Sequence, residues 1–421
     1  MLLQFNFSNY RSFRSEASLD LTATGISELG GHVVEMGTER VLPVAVLFGA
    51  NASGKSNVYK AFAYMKDFVV NSFAYGGEMA PENGYPSPVR FAWSKENKNP
   101  ALFEVYVLDH DTLRTMNYGF TLDDDGIVEE WLNEKAKSMR TARRVFYRSR
   151  NAEENEFNGF SAVQTRNVLS ALDPKVLVVS VGNKLQIPKC SKVVGWFARC
   201  LTVDYGDPQE NLERCSTVSS QFETAEMRRR VLSFLSIFDK SIKGFKVEEI
   251  PGEQGGRGKA LHIDALHQGI DGDDLIAIPL QEESAGTIKL FSLYWSLLPA
   301  LRSGNPLFID EMNARLHPLL VRNLVLLFTD QELNPNHAQL IFTSHDTWHL
   351  ANKSFRRDEI WFTAKSDAGE SVLYSLADFK DEEGDKIRKD EDYEKNYLLG
   401  KYGAIPSLEQ IETVFPDYQR G

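Results

Sequence analysis

The chain has 421 residues, 42% of them hydrophobic and 25% charged, with a formal net charge of −12 at pH 7. That length supports two or three domains with cores of their own, and the composition is that of a globular protein, which excludes a disordered or fibrous chain. The acidic balance excludes a surface coated in basic side chains, and no run approaches the roughly 18 uncharged apolar residues needed to cross a membrane.

The chain opens on "LLQFNF" without the succession of basic segment, apolar stretch and cleavage site of an export signal, which predicts a cytoplasmic protein. An apolar run from Val41 to Phe48 then predicts a strand buried on both faces. Directly after it, Gly49-Ala50-Asn51-Ala52-Ser53-Gly54-Lys55-Ser56 fits G-x-x-x-x-G-K-[ST] at every fixed position. Glycines let the backbone wrap round a phosphate with its N–H groups inward, and a helix N-terminus adds favourable partial charge. Val58, Ala61, Phe62 and Met65 recur at helical spacing and predict that helix. The expected nucleotide-binding set is Gly49, Asn51, Ser53, Gly54, Lys55, Ser56 and Asn57, with Lys55 reaching the β- and γ-phosphates and the Ser56 hydroxyl a ligand for Mg²⁺.

The alternating stretches "LFEVYVLD" and "MNYGFTLD" predict antiparallel strands. From Glu134 to Arg150 there are seven bases against one acid, with Phe146 and Tyr147 among them. Arg140, Arg143, Arg144 and Arg148 are the candidate contacts to nucleic acid or an acidic partner; a solvated hairpin flank explains the same residues. From about Asn151 the pattern turns mainly helical, "AEMRRRVLSFLSIFD" being the clearest amphipathic segment, and no heptad repeat predicts a coiled-coil arm. Cys190, Cys200 and Cys215 match no zinc or redox spacing and read as reduced and structural. "PGEQGGRGK", Pro251 to Lys259, reads as a loop between strands. His262, Asp264 and His267 follow at metal-like spacing, although alternation explains them as strand and turn.

Ser284-Ala285-Gly286-Thr287 opens an apolar helix, where a serine and a glycine make either an anion site or a plain N-cap. Pro306 to Ile309 predicts a buried strand ending in Asp310 and Glu311. The first acid is placed to hold Mg²⁺, and the second to orient or deprotonate an attacking water. Leu340 to Phe342 predicts another strand, with His345 just past its tip as a candidate γ-phosphate sensor. The last charged stretch, Asp378 to Lys395, holds nine acids and five bases and reads as a solvated helix or linker, not a nuclease centre at Asp390, Glu391 and Asp392.

The order of phosphate loop, long insertion, Ser-x-Gly helix start, Asp-Glu strand and strand-tip histidine resembles the ATP-binding-cassette head of SMC and RecF-type proteins. The resemblance implies an ATP- and Mg²⁺-dependent homodimer in which Ser284, Gly286 and Thr287 of one subunit close over the γ-phosphate held by the other, and in which Lys55, Glu311 and His345 are catalytic. A narrower likeness rests on "FNFSNYRSFRSEASLDL", "EESAGT", "IDEMNARLHP" and "YEKNYLLGKYGAIPSLEQI". These resemble the bacterial AAA-type ATPases of the RloA and AbiL group, found beside restriction and abortive-infection genes, and imply defence against phage or foreign DNA with a separately encoded nuclease or toxin as effector. Two positions depart from the pattern. No glutamine occurs between Gln4 and Gln164 to make the usual Mg²⁺ and water contact, and Arg315 stands where a small hydroxyl residue is expected.

The expected fold is therefore α/β: a P-loop NTPase of the ABC-type ATPase head, with a mixed sheet, an antiparallel β subdomain and a mainly helical insertion. The expected division is an N-terminal lobe over 1–150, the insertion over 151–260, a C-terminal lobe over 261–365 and an extension over 366–421. The expected function is ATP hydrolysis in a regulator of defence, the alternative being a RecF-like DNA-repair ATPase; no membrane partner is expected.

Overall fold

Val44–Gly49 is buried along its whole length because it runs through the middle of a six-stranded sheet. The computed structural model describes every residue except 77–84, 94–96, 138, 140, 208–219, 251–259, 271, 273, 352–353, 381–383, 385, 390 and 406–421. Across the sheet the strands run Leu201–Asp204, Pro306–Asp310, Gln339–Thr343, Val44–Gly49, Ile360–Lys365 and Ser371–Ser375. The first five are parallel and only the last edge is antiparallel. Parallel strands covered on both faces explain why these segments read as continuous apolar runs.

A second six-stranded sheet is wholly antiparallel, in the order Ala17–Asp20, Leu2–Ser8, Ala101–Leu108, Thr115–Asp123, Gly126–Lys135 and Arg143–Ser149. Between the two sheets lies the helix Lys55–Asn71, whose Val58, Ala61, Phe62, Met65 and Phe68 are buried. Phe62 stacks on Phe308 of the acidic strand, centroids 3.8 Å apart and planes at 13°, and meets Phe5 of the antiparallel sheet edge-on at 5.4 Å. One apolar cluster thus spans both sheets through this helix. A second cluster covers the other face of the parallel sheet with the helices Ala285–Ser303 and Pro318–Thr329.

The sheet crosses the boundaries expected from sequence. Leu201–Asp204 lies in the segment expected to be a helical insertion, yet it pairs with the acidic strand, Asp204 opposite Asp310. Ile242–Ile250, from the same segment, pairs with Ala260–Gln268, which pairs in turn with Leu275–Pro279. Ser371–Ser375 belongs to the expected C-terminal extension but completes the parallel sheet's edge. Short strands at sheet edges carry weak periodicity, so the surrounding helical signal masked the first of them. Arg140, Cys215, the 251–259 run and Asp390 lie outside the described residues. Cys190 and Cys200 are buried free thiols, and burial pushes both up from their usual range. Among the described residues, no helix is long and apolar enough to cross a membrane.

Candidate functional site

The phosphate loop needs its two glycines for different reasons. Gly49 has φ 153°, and a Cβ there would come within 2.5 Å of the Thr363 carbonyl oxygen and 2.6 Å of the Ser53 hydroxyl. Gly54 has φ 122°, with the Ser371 hydroxyl 2.7 Å from where a Cβ would stand. Side chains are excluded at both ends, so the loop can turn sharply into the helix. No side chain caps the helix at Gly54, and the Asn57 amide turns back to the Gly54 carbonyl at 2.9 Å.

Lys55 folds back over the loop and donates to the carbonyls of Gly49 at 2.7 Å and Ala50 at 2.9 Å. Burial pushes its ammonium down to about 8, against the opposing pull of Asp310 and Glu311. Asp310 is 3% exposed. Its Oδ1 accepts from the Thr343 hydroxyl at 2.6 Å, and that same hydroxyl accepts from the Glu311 amide at 2.8 Å. One threonine therefore fixes both acids against the neighbouring strand. Glu311 has φ 52°, in the left-handed region where a non-glycine residue is held only by its surroundings.

Asn51, Ala52, Gly54, Lys55, Ser56, Asn57, Glu311, Thr343 and His345 line one cleft of about 480 Å³, together with Ser12, Trp93 and Lys365. His345 is lowered from its ordinary range, by burial first and then by Lys55, so it enters the cleft neutral near pH 7. Asn57 donates to the Ser12 hydroxyl at 2.7 Å, and Ser371 donates to the Ser53 carbonyl at 2.6 Å. The phosphate loop and the helix start are thus braced from the turn after the N-terminal strand and from the sheet edge. The loop is also braced from the C-terminal segment, since the Ala50 amide donates to Ala404.

Ser56 and Asp310 present hard oxygens beside the loop, which fits Mg²⁺ and not a soft metal. Ser284, Gly286 and Thr287 are not brought into this cleft. Ser284 caps the helix Ala285–Ser303 by accepting from the Thr287 amide at 3.1 Å, and its side chain is exposed. From the start of that helix's second turn, buried Lys289 donates to the carbonyls of Glu311 at 2.9 Å and Ala314 at 2.7 Å. Burial lowers Lys289 to about 7.

Arg148 does not form part of an exposed basic face. It is 6% exposed and donates to the Val176 and Asp173 carbonyls, at 2.5 and 2.9 Å. Arg143 and Arg144 are exposed, and Arg144 pairs with Glu156 at 2.9 Å. His262 and His267 go to separate acids, Asp264 at 3.0 Å and Glu283 at 2.6 Å. Among the described residues no group of three or more His, Cys, Asp or Glu side chains is placed to hold a metal ion. Sequence reasoning gave no role to Thr343, Lys289, Ser12, Trp93 or Lys365. Only Thr343 carried a signal, as a hydroxyl at the tip of the strand beside the acidic pair.

No curated protein matches the chain. Residues 44–167 and 224–348 match the family described as "AAA domain, putative AbiEii toxin, Type IV TA system". The first segment carries the phosphate loop, and the second carries the Ser284 turn, the acidic pair and His345. With more than half of its length matched in this way, the chain belongs to that AAA domain family.

Proposed function

We propose that this chain is a Mg²⁺-dependent ATPase whose two sites are each completed by a second copy, and that the ATP-bound dimer regulates a separately encoded nuclease or toxin in bacterial defence. The observation that carries the reading is a division within the chain. Lys55, Ser56, Glu311, Thr343 and His345 line one cleft, with buried Asp310 bonded to Thr343 behind them, whereas the Ser284 turn stands outside it, Ser284 exposed, Gly286 half-buried and Thr287 buried. A helix N-terminus with a serine, a glycine and a threonine is suited to a γ-phosphate presented by a partner.

In the site, Lys55 leaves the loop carbonyls for the β- and γ-phosphates, and the loop amides hold the phosphate oxygens. Ser56 and Asp310 would hold Mg²⁺, which would supply charge neutralisation at the phosphates. Glu311 orients the attacking water and takes its proton, while His345 contacts the γ-phosphate. Thr343 holds the Asp310 carboxylate and the Glu311 backbone at their stations. Lys289, one turn into the Ser284 helix, ties that helix to the Glu311 backbone of the same chain, so contact at one site is linked to the catalytic acid of the other.

The defence role rests on the family description, which names a toxin–antitoxin system, and on the likeness to the RloA and AbiL group. The RecF-like alternative needs DNA contacts from Arg143 and Arg144, since Arg148 is occupied internally. The test is the rate of ATP hydrolysis per molecule against protein concentration, with and without double-stranded DNA. The account expects a rate that rises with concentration and a loss of about a thousandfold in Glu311→Gln. An unaltered rate in Glu311→Gln would refute the catalytic assignment, and strong stimulation by DNA that depends on Arg143 and Arg144 would favour repair.

A further inference from the structure

We propose that Trp93 is a stacking platform for the base of the bound nucleotide, so that the cleft takes a purine nucleoside triphosphate as a whole and not only its phosphates. This rests on the nucleotide reading above. Trp93 lines the phosphate-loop cleft, yet 58% of its surface is exposed. Among the described residues that line this cleft it is the one Trp, Tyr or Phe, and so the one broad apolar face offered to a flat ligand there.

Sheet order says what lies where. The acidic strand and Gln339–Thr343 flank one side of Val44–Gly49, placing Glu311, Thr343 and His345 at the end of the cleft where the γ-phosphate is attacked. Ile360–Lys365 flanks the opposite side. Trp93 packs against the turn that follows this strand: a Cβ on Gly369 would stand 3.3 Å from the indole, and Gly369 itself has φ 81°. The Lys365 ammonium lies 4.8 Å from the ring centroid. Phe91, 5.2 Å away, braces the indole from its own segment. A nucleotide bound with its γ-phosphate at the acidic pair therefore runs past Lys55, Ser56 and Asn57 and brings its base to the Trp93 side.

The chemistry of the platform suits that end. Stacking on an indole is tolerant of base identity because every base has a π-face, and it is stronger for the larger bicyclic purines. Lys365 stands over a face of the same ring and adds positive charge there, favouring the anionic ligand without reading the base, and the base takes the part of the indole that Lys365 and Gly369 leave exposed. Gly369 allows the turn to approach the indole closely, and any larger residue there would push the ring off its support.

The experiment is calorimetric titration of the full chain, in the presence of Mg²⁺, with ATP and separately with inorganic tripolyphosphate, using the wild type, Trp93→Ala and Trp93→Phe. Trp93→Ala should weaken ATP binding about tenfold and leave tripolyphosphate within about twofold, because the phosphate contacts are untouched. Trp93→Phe should recover most of the ATP affinity, and CTP should bind the wild type more weakly than ATP. ATP binding that is unchanged in Trp93→Ala would overturn the platform and leave the nucleotide reading standing. Equal losses for ATP and tripolyphosphate would show the indole shaping the loop instead of holding a base. Failure of the wild type to bind either probe would overturn the nucleotide reading and the platform together.

Discussion

Two polar clusters sit deep in this molecule, and they differ in what their charged groups have left to give. In the antiparallel sheet, Glu130 stands directly opposite Arg148. Glu130 accepts from the amides of Val178 and Val179 and from the Tyr118 hydroxyl, and Arg148 donates to two carbonyls. The cluster is closed: Arg148 and the Glu130 carboxyl, which burial raises to about 7, are both spent in holding the 173–179 segment against the sheet. At the phosphate loop, Lys55 is 5% exposed and Asp310 3%, but the cluster opens on a cleft of about 480 Å³. Its backbone is held at φ values that glycine favours, at Gly49 and Gly54, and at φ 52° at Glu311. Buried charge alone does not mark a site; buried charge facing an open cleft on a conformationally constrained backbone does.

The largest contrast is expected from removing one cation in each cluster. Lys55→Ala should abolish nucleotide binding, a loss of at least about a hundredfold, with little change in melting temperature. Arg148→Ala should do the reverse. It orphans two buried carbonyls and leaves Glu130 uncompensated, at a cost of about 3 kcal/mol of stability, while the molecules that remain folded bind nucleotide normally. Calorimetric unfolding and titration on the same two variants check both halves. Destabilisation by Lys55→Ala as large as that by Arg148→Ala would erase the distinction.

A smaller effect is expected at Thr343. Thr343→Val removes the hydroxyl that joins Asp310 to the Glu311 amide, so turnover should fall by about 10- to 100-fold, the range typical of outer supports of a catalytic group. Nucleotide affinity should stay within a few-fold, because the phosphate loop does not depend on this bond. Steady-state kinetics with direct binding would separate the two, and an equal loss in both would place Thr343 in binding instead.

The mildest test is pH. Lys55 is lowered to about 8 in the nucleotide-free protein, and its charged form is the one that meets phosphate. Affinity should therefore be flat below about pH 7 and fall as pH rises through 8, by at most about tenfold per unit. Titration with ATP at fixed ionic strength checks it. A dissociation constant that does not move between pH 7 and 9.5 would deny Lys55 its role.

The same contrast explains how much was legible in the sequence. The glycine turn, the acidic strand and the strand that ends two residues before His345 were readable because continuous apolar runs mark strands buried in a parallel sheet and each run stops at a short group of polar residues. The helix starting after Ser284 was readable from its cap. Arg148 was misread because a charge run treats every arginine alike. Strand alternation puts Arg148 on the same face as buried Phe146, and the register sets it opposite Glu130. Leu201–Asp204 was missed because a four-residue edge strand has too little period to outweigh the helices before it. Trp93 and Lys289 left no mark at all. What matters at each is a neighbour far away in the chain, Gly369 for one and the Glu311 carbonyl for the other.

In the proposed function ATP joins two copies through sites that neither completes alone. This is tested most directly by the mass in solution of Glu311→Gln, measured by sedimentation with and without saturating MgATP, beside a Ser284→Arg version of the same variant. The account predicts a dimer when ATP is bound, and no dimer when Ser284 is replaced although ATP still binds. A Glu311→Gln chain that binds ATP and keeps one subunit's mass would contradict it.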